Sequence, residues 1–192
     1  FDAIGTGGTV AAPAVAVSTA RGAVVADPAG AVRLPLGVRL DFGAIAKGYA
    51  ADAVCATLAA RGPCLVSAGG DVAAGGPRAD GPWPVAIATP AGDIVAMLDR
   101  RALATSGVDR RRWRSAAGDE RHHVIDPWSA RSAATDLLRV TVAAERCAVA
   151  DALATALLAA GRVRAIAMCD ELGLSAVLVT RGGETVRTGG LA

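Results

Sequence analysis

Apolar and polar positions alternate with different periods along this chain, and each change of period marks an element. Between residues 43 and 60, Ile45, Tyr49, Ala53, Ala56 and Leu58 stay near one stripe of a 3.6-residue turn, and Gly62 follows as a stop. That spacing predicts a helix over 43–60. The same pattern over 145–160, ending at Gly161, predicts a second helix, and 162–172 a third, shorter one. Elsewhere the apolar runs are only a few residues long, and strands are expected at 38–41, 64–67, 85–88, 94–98, 102–105, 124–125, 137–143, 175–180 and 184–187. The turns at Pro90-Ala91-Gly92 and Asp99-Arg100 are too short for crossover helices, so the middle of the chain should be an antiparallel meander, with 124–125 and 137–143 continuing its sheet. Residues 1–37 read as loop followed by a hairpin that turns at 27–30 and returns over 31–34.

Helices packed on a mostly antiparallel sheet define an α+β fold, and 192 residues suit a single catalytic domain over 1–192. No Gly-x-Gly-x-x-Gly follows the early strands, which argues against a nicotinamide-type dinucleotide site. With aromatic residues at 3%, the core must be built from Ala, Val, Leu and Ile. A net charge of +2, with acids and bases interspersed and aromatics at only 3%, gives little field and few stacking groups for nucleic acid. Cys55, Cys64, Cys147 and Cys169 form no Cys-x-x-Cys pair, so four small buried thiols are expected rather than a structural zinc, with disulfides left open. No signal peptide is visible, the apolar run 148–160 is too short to span a bilayer, and a first residue Phe1 rather than Met suggests a piece of a longer protein.

Candidate chemistry gathers at strand ends and helix starts. Asp41 and Lys47 flank the start of the first helix, where backbone N–H groups attract anions, although a cap and a solvated lysine would look the same. Asp151 and Thr155, four residues apart, share one helix face and offer hard oxygens of the kind Mg²⁺ accepts; the alternative is an acid favoured by the helix dipole and a threonine bonded to its own backbone. The two histidines are adjacent, so at most one of His122 and His123 can face a site, as a base toward a hydroxyl or as a phosphate contact. Ser67-Ala68-Gly69-Gly70-Asp71 and Ala104-Thr105-Ser106-Gly107 are flexible strand ends, and 109–114 is a dense arginine run, either solvated surface or an anion contact.

The order of these blocks is more informative than any one of them. The segment 40–52, then Ala68-Gly69-Gly70-Asp71, Ala104-Thr105-Ser106-Gly107, His123-Val124-Ile125-Asp126-Pro127 and 150–157 together resemble the ApbE family of flavin transferases. Phe1-Asp2 is similar to the end of that family's Phe-Asp-Pro-Thr segment, with Ala3 replacing the proline. The resemblance implies a T-fold-like α+β domain that uses Mg²⁺ and FAD, moving FMN onto a Thr or Ser hydroxyl of an acceptor protein and releasing AMP. It implies that Phe1, Asp2, Asp41, Lys47 and Ile125 contact the flavin nucleotide. Ala44, Asp151, Ala154 and Thr155 would hold the metal, Ala44 and Ala154 through backbone only, and His123 would assist the acceptor hydroxyl. FAD hydrolysis to FMN and AMP, or a non-catalytic flavin-binding module, are the alternatives.

Most of the family's N-terminal region lies outside this chain, and Trp128-Ser129-Ala130-Arg131 stands where members carry a Thr-Gly-x-Pro turn. By the same resemblance, an extracytoplasmic or membrane-associated location is expected with the cytoplasm left open; a homodimer is one of the oligomeric states the sequence leaves open.

Overall fold

A six-stranded antiparallel sheet organises the molecule, in a computed structural model that describes residues 25–26, 31–36 and 38–191. In chain order the elements are β1 Val25–Ala26, β2 Val32–Arg33, α1 Ala46–Ala59, β3 Leu65–Ala68, β4 Asp71–Ala74, β5 Trp83–Ile87, β6 Ile94–Leu98 and β7 Ala102–Gly107. There follow β8 Arg112–Arg114, β9 Glu120–His122, β10 Ile125–Asp126, β11 Arg131–Ser132, β12 Leu137–Ala144, α2 Cys147–Ala160, α3 Arg162–Leu172, β13 Ser175–Thr180 and β14 Thr185–Thr188. The sheet order is β14-β13-β12-β7-β4-β3, and β1–β2, β5–β6, β8–β9 and β10–β11 are separate two-stranded hairpins.

Side-chain alternation along the strands divides the interior in two. Ala176 and Leu178 of β13, with Val140 and Val142 of β12, face α2 and α3 in a cluster that contains Leu157 and Leu158, both fully buried. Val177 and Val179, one residue out of phase, join Val72, Leu103 and the β5–β6 residues Ile87, Ile94, Ala96 and Leu98 on the opposite face. The molecule is therefore three layers, helices over sheet over hairpin, and β13 is apolar at consecutive positions because both of its faces are covered. Each buried leucine contributes about 1.5–3 kcal/mol by leaving water. A smaller cluster of Ala51, Cys55, Ala73, Ala102 and Cys147 seats α1 beside α2 on the helix side of the sheet.

The α+β class, the three helices and most of the strands agree with the sequence. Four expectations are corrected. Among the described residues, residues 38–41 pair with no strand and run as an irregular lead-in to α1. The helix expected from 43 begins at Ala46, because Gly43, Ala44 and Ile45 form a turn tied by the Ile45 and Ala46 N–H groups to the Phe42 carbonyl, and it ends at Ala59 with Ala60 as its C-cap and Gly62 just beyond. The middle of the chain is antiparallel but not a simple meander, since β5–β6 leaves the sheet to cover its other face while β7 pairs with β4 and β12. Ile125 belongs to the small β10–β11 hairpin rather than to the central sheet.

Strand β4 was legible only as a turn. Its hairpin to β3 is closed by Gly69 and Gly70 with φ of 63° and 102°, the pair of positive values that a two-residue hairpin turn demands.

Candidate active site

Three side chains from three elements meet on the helix side of the sheet. Lys47, in the first turn of α1, directs its ammonium into an ion pair with Asp71, the first residue of β4, and stands 3.6 Å from Oδ1 of Asp151 on α2. Asp71 and Asp151 are each only 1% exposed, so neither carboxylate is a solvated surface acid. Their remaining oxygens are satisfied by backbone: the Thr105 N–H donates to Oδ1 of Asp71 at 3.1 Å, and the Gly48 N–H donates to Oδ2 of Asp151 at 3.1 Å. Burial pushes the Asp71 carboxyl above the ordinary carboxylate range; the Lys47 ammonium and the Thr105 N–H pull it back, and the Asp151 charge raises it further. Two buried carboxylates thus share one ammonium, a deficit of positive charge at the centre.

Thr155 lies one turn along α2 from Asp151, and its hydroxyl is 2.7 Å from that of Ser106 on β7. Ala44 is half-buried in the turn before α1, and Ala154 is fully buried in the middle of α2. Asp41 accepts the Gly43 N–H at 2.6 Å and so shapes the turn that delivers Lys47. His123 lies just beyond β9, anchored to the Arg111 carbonyl through its own N–H at 3.3 Å and through ring Nδ1 at 3.4 Å. A carbonyl only accepts, so Nδ1 carries the proton and Nε2 presents its lone pair outward. Partial desolvation holds the His123 ring below the ordinary histidine range; Arg111 and Lys47 charges act the same way, and Asp41 opposes them. His122 takes the opposite face, buried, with Nε2 donating to the Ala133 carbonyl at 3.1 Å.

Of the residues singled out in the sequence, Lys47 and Asp151 are in direct proximity, and Thr155 extends the same face. Asp41 and His123 are near enough for their charges to be felt. Ile125 is exposed at the start of β10, and Phe1 and Asp2 lie outside the described residues. In the sequence Asp71 reads only as the end of a strand, and the glycine pair before it is the one signal that it starts a new one. A surface depression of about 520 Å³ lined by Glu120, His122, Ala133, Thr135, Asp136 and Arg181 includes none of the Lys47 centre. Among the described residues, no three of His, Cys, Asp and Glu converge as a metal cluster, and Cys55, Cys64, Cys147 and Cys169 are free thiols.

Fold and centre together define an α+β domain that presents a lysine, two buried carboxylates and a hydroxyl where two helices meet the inner strands β4 and β7. The chain belongs to the ApbE family, whose model matches residues 9–179. It is similar to an FAD:protein FMN transferase of Escherichia coli strain K12, 32% identical over 157 residues, or 78% of this chain and 44% of that protein. To one of Rhodobacter capsulatus it is 36% identical over 158 residues, 79% of this chain and 30% of the other. Among solved structures it resembles the apo form of the flavinyl transferase ApbE of Pseudomonas stutzeri, at 32% identity and a TM-score of 0.75, covering 88% of this chain and 54% of that one. The ApbE protein of Thermotoga maritima gives 32% identity and a TM-score of 0.76, covering 87% and 57%. The chain spans less than half the length of the curated relatives it matches.

Proposed function

We propose that this domain transfers the FMN half of FAD to a Thr or Ser hydroxyl of an acceptor protein, with Mg²⁺ and with release of AMP. The observation that carries the reading is the Lys47 centre, in a family whose named relatives are FAD:protein FMN transferases. A pyrophosphate diester repels an incoming oxygen until its charge is neutralised, and hard cationic groups beside helix starts suit that task.

The donor set fits Mg²⁺: oxygen ligands only, and buried carboxylate charge in excess of the single ammonium. Asp151 and Thr155 would hold the ion with the Ala44 and Ala154 carbonyls, and when bound it would neutralise the bridging phosphates and the departing AMP. Lys47 would bind the pyrophosphate. Asp71 orients Lys47, and Asp41 fixes the turn from which that lysine projects. His123, with Nε2 free to accept, would take the proton of the acceptor hydroxyl as its oxygen attacks phosphorus and the bond to AMP breaks. Ile125 would contribute apolar contact to the flavin nucleotide.

The test incubates the protein with FAD and Mg²⁺, with and without a hydroxyl-bearing acceptor peptide, and follows AMP by chromatography and peptide mass by spectrometry. Transfer predicts AMP release that depends on the peptide, together with a phosphoester-linked FMN adduct. Free FMN formed equally without peptide would replace transfer by hydrolysis. Unchanged FAD with Mg²⁺ and acceptor present would leave a binding module.

A further inference from the structure

The starts of α1 and α2 meet, and neither has a cap of its own. Their N-cap residues, Ile45 and Arg146, make no side-chain capping bond, and neither helix has an acid in its first turn. A helix start leaves four N–H groups without intrahelical acceptors, and here each helix supplies acceptors to the other. Asp52 of α1 accepts the Cys147 N–H at 2.8 Å on Oδ1 and the Ala148 N–H at 3.0 Å on Oδ2, so both oxygens bond to the first turn of α2. In the reverse direction, Asp151 of α2 accepts the Gly48 N–H in the first turn of α1. Contact this close needs a glycine, since a Cβ on Gly48 would stand 2.4 Å from the Cys147 carbonyl oxygen. Arg146, with Nε 3.7 Å from Oδ2 of Asp52, steadies the outer side of that carboxylate.

We propose that Asp52 is a positioning residue of the site: by capping α2 from α1, it sets the separation of Lys47 and Asp151. Lys47 and Gly48 lie five and four residues before Asp52, and Asp151 lies four residues after Cys147, so both reactive side chains ride on the two turns that Asp52 ties together. Asp52 touches none of the reacting groups. Without it, the Cys147 and Ala148 N–H groups lose their acceptor, and the bond from the Gly48 N–H to Asp151 must hold the two helix starts together while Asp151 also faces Lys47. The catalytic consequence rests on the function proposed above; the geometric claim does not.

Asp52→Ala and Asp52→Asn in the whole chain test it by residue-resolved amide exchange and by thermal shift in a titration of Mg²⁺ alone. Asp52→Ala should lose at least tenfold in exchange protection at Cys147 and Ala148, and also at Gly48, whose N–H donates to Asp151 and not to the Asp52 side chain. The Mg²⁺ concentration for half-maximal shift should rise about tenfold, and Asp52→Asn, which keeps one acceptor oxygen, should fall between Asp52→Ala and the unsubstituted protein. Protection at Gly48 equal to that of the unsubstituted protein would overturn the proposal. If Asp52→Ala does not fold, Asp52→Asn decides by the same criterion. An unsubstituted protein with no Mg²⁺ shift and no AMP release would remove the proposed function, while Gly48 exchange would still decide the positioning claim.

Discussion

His122 and His123 are neighbours in sequence with opposite duties. Ring Nδ1 of His122 is buried without a partner among the described residues, and burial foremost pushes its pKa below the ordinary 6.5. A histidine lowered on folding binds its proton more readily in the unfolded chain, so stability is lost as pH falls from 6.5 toward the folded value. Melting temperatures between pH 7.5 and 5 should therefore decline, and His122→Gln should flatten the decline. His123 is also held low, so its neutral form, with Nε2 free, persists below pH 6.5. Under the proposed transfer, His123→Gln should cost about 10²–10⁴ in rate and remove the acid limb of the pH–rate profile, as read by AMP release. In the sequence these two residues were indistinguishable beyond the rule that one faces in and one out. Which is which follows from the β8–β9 register, where His122 pairs with Arg112 and the chain turns out of the hairpin at His123.

At the scale of elements, helices were more legible than strands because alanine-rich stretches with glycine stops report themselves locally. Gly161 and Gly173 end α2 and α3 with φ of 76° and 61°, values that the sequence advertises by residue type. Residues 38–41 read as a strand because strand character in a short run is indistinguishable from an extended lead-in until a pairing partner exists, and none does among the described residues. Strand β4 was hidden for the opposite reason: Asp71-Val72-Ala73-Ala74 has weak strand propensity and is held by its neighbours β3 and β7. The contact between α1 and α2 gives the sharpest test at this scale. Gly48→Ala places a methyl against backbone on the facing helix, with no flexible side chain to yield, so a loss of about 1–3 kcal/mol is expected, measured by urea unfolding. Gly43→Ala meets only the Asp41 carboxylate and should cost less.

For the molecule as a whole, the α+β class and the presence of a core built from small aliphatics were readable from composition and period, but the layer order was not. Nothing local in 83–98 says that β5–β6 folds under the sheet, because alternation gives each strand a buried face without naming what buries it. Leu178, fully buried between β13 and the helices, reports on the helix layer, and Leu98, 2% exposed, on the hairpin layer. Leu178→Ala and Leu98→Ala should each lose about 2–5 kcal/mol. A single cooperative transition in both variants, by circular dichroism and tryptophan fluorescence, would mark the three layers as one folding unit. The chain also stitches its two helix starts to one another through carboxylates rather than leaving them hinged. Any opening needed for the proposed substrate therefore falls to the less tied segments around Lys47, the turn at 41–45 and the β8–β9 arm that carries His123, which lie close enough for the Asp41 and Lys47 charges to act on that ring. If the proposed transfer is limited by product escape, its rate would respond to stiffening those segments, while the helical side behaves as a fixed anvil.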